Sequence, residues 1–185
     1  MSLFWYALAS LGLYQGAQFV FEQTERGQLF EATHRAAAAR GKPALVVGMP
    51  RGPFDYPCSP YVTLDVDPQV LTECPISGVL ADIRAIPYPD KHFGAALVSH
   101  VLEHLPSIDD AALAWRELWR VADQVYVAYP RKANLWAWLN PDHHLWVTPV
   151  SPQVLEVEER SGLGRSAVMD FNGLIGFKYA LVVGG

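Results

Sequence analysis

Apolar side chains run from Leu3 to Phe21 with no charged residue among them, in MSLFWYALASLGLYQGAQFVF. Such a run predicts a helix over residues 2–21, with Gln15, Gln18 and Glu22 at helical spacing on one side. A second helix is expected from about Thr24 to Arg40, with Thr24 as N-cap and basic residues and Gly41 at its end. From Lys42 the pattern changes to short apolar runs separated by longer amphipathic ones. PALVVG (43–48), YVTLDVD (61–67), SGVLADI (77–83), FGAALVSH (93–100) and QVYVAYP (124–130) read as strands. Between the last two, Ala114, Leu118 and Val121, with Ala111 and Trp115 beside them, give a helix over 108–121. SPQVLEVEERSG (151–162) reads as a helix, capped by Ser151, with Pro152 at its first position and Gly162 at its stop. SAVMDF and KYALVVG read as late strands. Alternating strands and helices predict an α/β fold. It has a mostly parallel sheet of six or seven strands with flanking helices, preceded by an N-terminal helical segment. The expected division is a helical segment, 1–42, and a sheet domain, 43–185. Ligands of such sheets bind at the carboxyl ends of the strands, so the residues just after each strand matter most.

Composition narrows the possible partners. The chain of 185 residues is 51% hydrophobic and 18% charged, enough apolar material for one sizeable core. Its formal charge of −5 and the lack of a basic stripe argue against nucleic-acid binding. Cys58 and Cys74 have no metal-site spacing and form no disulfide framework. No P-loop lysine motif, GxSxG or CxxC occurs.

The uncharged N-terminus has two readings. It is long enough to span a bilayer, and Gly12 and Gly16 form a GxxxG pair suited to close helix contact. It equally fits a helix packed on its own domain, on a twin chain in a homo-oligomer, or on a membrane surface. The start lacks the basic region and cleavage site of a signal peptide, and the expected location is cytoplasmic, with membrane association through residues 2–21.

Four segments in order carry a resemblance. They are TLDVDP, ADIRAIPYPDKHFGAALVSHVLEHL (81–105), ELWRVADQVYVAYP and DHHLWVTPVSPQVLEVEERSG. From about Pro43 to Gly185 the chain resembles the class I S-adenosylmethionine-dependent methyltransferases of the small-molecule, type 11-like group, which are Rossmann-like. The resemblance implies S-adenosylmethionine as cofactor and a small-molecule or lipid-like methyl acceptor. It implies that Gly48 and Gly52 lie under the methionine and ribose, and that Asp65 accepts from the ribose hydroxyls. Asp82 would meet the adenine amino group, Ile83 would pack on the ring, and Ser99 and His100 would lie near the transferred methyl. His100 is the candidate general base.

VVGMPRGPFDYP (46–57) departs from the family's acid-x-glycine-x-glycine-x-glycine pattern. Val46 stands for the acid and Pro50 for the central glycine, while Arg51 adds a cation. The prolines after it predict a shortened or lost first crossover helix. Gly94 stands where the family usually has an acid. These changes leave a second function open: a catalytically inactive methyltransferase fold serving assembly, binding or membrane attachment. His100 and His104 lie four apart with Glu103 between, and His143 or His144 could supply a third metal ligand. The VLEHL resemblance already accounts for Glu103 and His104, so no metal site is expected. ANLWAWLNPDHHLW (133–146) reads either as an aromatic substrate wall or as a satellite core.

Overall fold

The structure is a computed structural model that describes residues 3–48, 61–72, 77–151, 154–160, 165–170 and 175–179. The chain opens with a single helix, α1 (Leu3–Ala38), where two were expected. Thr24 does not cap a second helix. Its hydroxyl donates to Val20 O (2.9 Å), one turn back, which a helix interior accommodates. No helix among the described residues is long and apolar enough to cross a membrane.

The strands β1 (Ala44–Val47), β2 (Tyr61–Asp65), β3 (Gly78–Leu80), β4 (Ala95–Ser99) and β5 (Val125–Ala128) form one sheet. Its order is β3-β2-β1-β4-β5 and all its pairings are parallel. This is a Rossmann-like sheet, with the order reversing between β1 and β4. It has five strands, not six or seven.

The late strands form a second, antiparallel sheet of β6 (Leu145–Ser151), β7 (Val154–Glu159), β8 (Arg165–Asp170) and β9 (Ile175–Tyr179). The reason lies in the connections. Residues 160–164 and 171–174 are too few for a crossover, which takes a dozen or more, so these neighbours pair as hairpins. β7 also replaces the helix expected over 151–162. Leu155 and Val157 are buried and Glu156 and Glu158 are less so, a period of two that outweighs the capping residues.

Each face of the parallel sheet has its own cover. Phe30 and Ala37 of α1 pack with Ala44, Val46, Tyr61, Ala95 and Leu97. On the other face, Leu45, Val47, Ala96 and Val98 share a core with α3 (Ile108–Val121), whose Ala111, Ala114, Trp115, Leu118 and Val121 are buried as its periodicity predicts. The antiparallel sheet joins this core through Val157, Ala167 and Met169, and Trp115 Nε1 donates to Asp170 O (3.1 Å). Gly94 meets the close approach of α1. A Cβ there would lie 2.7 Å from Ala37 Cα, so the position usually held by an acid is occupied here by the packing of α1.

Two short helices complete the frame. α2 (Pro68–Leu71) follows β2 and is capped by Asp67, whose side chain accepts from Gln69 N. α4 (Leu135–Leu139) follows β5 and is capped by Asn134. The loop before α4 clasps α1. Glu22, buried, accepts from Arg131 N (3.1 Å) and Asn134 Nδ2 (2.7 Å), while Gln15 accepts from Leu135 N (2.9 Å).

Candidate functional site

The order reversal between β1 and β4 leaves a crevice at the carboxyl ends of the strands. A cleft of about 210 Å³ lies there, lined by Gly48 after β1, Asp65 at the end of β2, Ala81–Arg84 after β3, and Val101 and His104 after β4. A wider chamber of about 930 Å³ adjoins it and shares Gly48, Asp65, Val101 and His104. Ser99, His100, Asn140, Asp142 and His143 also line the chamber.

Gly48 is at φ +75°, and a Cβ there would lie 2.3 Å from Val101 Cγ2 and 2.6 Å from Ser99 O. Only glycine fits this turn. Its amide donates to Leu64 O (3.1 Å), which holds the ends of β1 and β2 level. Asp65 Oδ1 accepts from Asp67 N (2.9 Å), turning its carboxylate along the crevice rim. Ile83 is buried in the cleft wall.

Asp82 is gripped by Arg84, which donates through Nε to both carboxylate oxygens (2.9 and 3.1 Å) and through its backbone amide to Oδ1 (2.8 Å). Arg84 also donates through a terminal guanidinium nitrogen to Asp110 Oδ1 (2.6 Å). Hydrogen bonding from Arg84 holds the Asp82 carboxyl below its ordinary range. Asp110 is held low first by the Ser107 hydroxyl and then by Arg84. The IPYPD turn is fixed to α3 by Arg120, which donates to Ile86 O (2.8 Å) and Tyr88 O (2.7 Å), and by Glu117, which accepts from Ile86 N (2.9 Å).

Ser99 is buried, and its hydroxyl has no hydrogen-bond partner among the described residues. His100 follows at φ +53°, a left-handed conformation that a non-glycine residue adopts at a cost. Its Nδ1 lies 3.3 Å from Glu103 Oε1 without the geometry of a hydrogen bond. Glu103 and His104 belong to a 3-10 turn, Leu102–His104. His104 and His143 pack edge to face, with centroids 4.7 Å apart. Burial pushes the His143 imidazole below its ordinary pKa.

Gly48, Asp65, Asp82 and Ile83 therefore share one cleft, and Ser99 and His100 line the adjoining chamber. Gly52 lies outside the described residues, as do Pro50 and Arg51 of the altered loop. No tryptophan of 133–146 lines the chamber, and Trp146 is buried. Trp136 and Trp138 are exposed, and the polar Asn140, Asp142 and His143 line the chamber. Sequence reasoning gave no role to Arg84, or to Arg26 of α1, a buried cation that also lines the chamber. Arg84 had a signal, since an arginine two after an acid can reach back to it. Arg26 had none, because only tertiary packing brings α1 to this edge.

A family model described as a methyltransferase domain matches residues 46–124. The match runs from the second half of β1 to the residue before β5, and so takes in the cleft and most of its neighbouring chamber. The resemblant segment at 142–162 lies beyond it. No curated protein matches the chain. Among solved structures, the chain is similar to CalS10 with SAM bound, an amino pentose methyltransferase from Micromonospora echinaspora. That similarity is 17% identity over 87% of this chain and 82% of that one, with a TM-score of 0.43. The chain is also similar to the CcbJ methyltransferase from Streptomyces caelestis, at 13% identity over 84% and 72% of the two chains, with a TM-score of 0.42.

Proposed function

We propose that the protein is an S-adenosylmethionine-dependent methyltransferase acting on a small-molecule or lipid-like acceptor. The observation that carries this reading is the convergence of Gly48, Asp65, Asp82 and Ile83 on one cleft that opens beside Ser99 and His100. The residues fit the cofactor in two respects. Gly48 leaves the backbone bare at the crevice, and the Ser99 hydroxyl has an unused hydrogen-bonding capacity at the chamber wall. Asp82 fits with a restriction: Arg84 already donates to both of its oxygens, so an amino group would have to use the remaining lone pairs.

When bound, the cofactor supplies an electrophilic methyl group on a sulfonium. Asp65 would accept hydrogen bonds from the ribose hydroxyls, and Ile83 would give the adenine an apolar face. The chamber would hold and align the acceptor beside the cleft, and that alignment is the protein's main contribution to the transfer. His100 takes the proton that the acceptor loses.

Calorimetry of the purified full chain with S-adenosylhomocysteine tests the binding half. One molecule per chain is expected. His100→Asn tests the chemistry, because asparagine tolerates the left-handed backbone and removes the base. It should bind the cofactor normally and, once an acceptor is found, lose about 10²–10⁴-fold in kcat. A folded chain that binds neither S-adenosylmethionine nor S-adenosylhomocysteine would instead support an inactive methyltransferase fold, the reading favoured by the grip of Arg84 on Asp82.

A further inference from the structure

We propose that Glu103, His104 and His143 bind a divalent transition-metal ion, zinc before others, at the wall of the chamber. One ligand atom from each of the three lies within 4.8 Å of the other two. The carboxylate is the strongest clue. Glu103 is 1% exposed, and neither of its oxygens accepts a hydrogen bond from the described residues. A buried, unsolvated carboxylate is costly unless a cation compensates it. His100 approaches one oxygen but makes no hydrogen bond to it.

Each imidazole has its Nδ1 held by a backbone carbonyl. His104 Nδ1 lies 3.1 Å from Asp142 O, and His143 Nδ1 lies 3.1 Å from Ala137 O. A carbonyl oxygen only accepts, so Nδ1 carries the proton in both rings and Nε2 keeps its lone pair. A ring whose far N–H is held by a backbone carbonyl is the usual state of a metal-bound histidine.

The scaffold is stiff on both sides of the cluster. His144 N donates to Glu103 O (2.8 Å), which fastens the 3-10 turn to the loop bearing His143. From the end of β7, Arg160 donates to Asn140 O (2.8 Å) and His143 O (3.0 Å), and also to Trp138 O. Two imidazoles and one carboxylate suit zinc, at about 2.0–2.2 Å from each ligand, and leave a position open. Binding would draw the three ligand atoms together from their present spacing, within 4.8 Å of one another. His104 and His143 both line the chamber, so the open position faces it and takes an oxygen ligand, water in the resting protein.

This inference does not depend on methyl transfer. The test uses the full chain, stripped with a chelator and titrated with zinc alone by calorimetry. Metal content is then measured after gel filtration, and cobalt is substituted for its visible spectrum. One zinc per chain and a four- or five-coordinate cobalt spectrum are expected. His104→Gln is exposed enough to fold, and His143→Gln keeps a side-chain amide. Each should weaken zinc binding by more than about tenfold, since losing even an outer-shell partner costs about 10–100-fold. His100→Asn should retain the metal, which separates this ligand set from a pairing of His100 with His104. A folded wild-type chain that retains no zinc, or variants that bind it as well as wild type, would overturn the proposal. S-adenosylhomocysteine binding, measured on the same stripped protein, reports separately on the methyltransferase reading.

Discussion

Two residues at the crevice edge answer to different physics. Gly48 combines a positive φ with a backbone approach that leaves no room for a methyl group. Gly48→Ala should destabilise the fold by about 2–4 kcal/mol, combining backbone strain with overpacking. Urea denaturation measures it, and an unchanged midpoint would mean that the turn can rearrange freely. Asp65 is different: it stands at the end of β2, and its carboxylate accepts from Asp67 N. Asp65→Ala should weaken S-adenosylhomocysteine binding by about 1.5–3 kcal/mol, the range for hydrogen bonds to a charged group. Asp65→Asn retains an acceptor for Asp67 N and should lose affinity with less effect on stability. Equal calorimetric affinity in all three proteins would put the ribose elsewhere.

At the scale of elements, the segment after β3 is tied to α3 by the Asp82–Arg84–Asp110 chain. Both carboxyls are held below their ordinary value of 3.8, so the folded chain binds fewer protons than the unfolded one as acid is added. The stability this provides is present above pH 3.8 and is lost as the pH falls through the lowered values. Arg84 and Asp82 are more than a third exposed, so water screens the pair, and its worth is no more than about 1 kcal/mol. Arg84→Met should lose that increment at pH 6 and show a shallower fall in stability between pH 4 and about 2 than wild type. Thermal melts followed by circular dichroism check it; parallel curves for the two proteins would show that the triad carries no acid-linked stability.

On the scale of the whole molecule, α1 divides into two parts. From Gln15 onward it is bound to its own chain, through Glu22, Phe30 and Ala37. Before that its apolar side chains are exposed: Leu8 is 44% exposed, Leu11 46% and Leu13 77%, and Gly12 has no described neighbour within 4 Å of a would-be Cβ. An apolar surface of this kind calls for a partner, and the expected one is the same helix of a second copy. Light scattering should give a mass above the 20.5 kDa of one chain. Deletion of residues 1–14, which spares Gln15 and Glu22, should return a folded monomer. A full chain already monomeric and dispersed without detergent would remove the case for this interface.

The sequence by itself determined the parallel sheet and the edge on which its site lies. Buried parallel strands are apolar throughout and end abruptly, so Gly48, Asp65, Asp82 and Ser99 could be read as strand-end residues from local pattern alone. The α3 stripe was equally legible, because one face of a long helix repeats at a fixed interval. Tertiary structure decided the rest. The 151–162 segment carried both helix caps and strand alternation, and pairing with β6 and β8 settled it as a strand. β8 and β9 were readable as strands, β6 was not, and none was readable as part of a separate sheet, since sheet membership depends on which edge a strand meets. The grip of Arg84 on Asp82, the arrival of Arg26 in the chamber and the meeting of Glu103 with His143 arise where distant segments pack. Local periodicity encodes which face of an element is buried; it carries no record of what that face will touch.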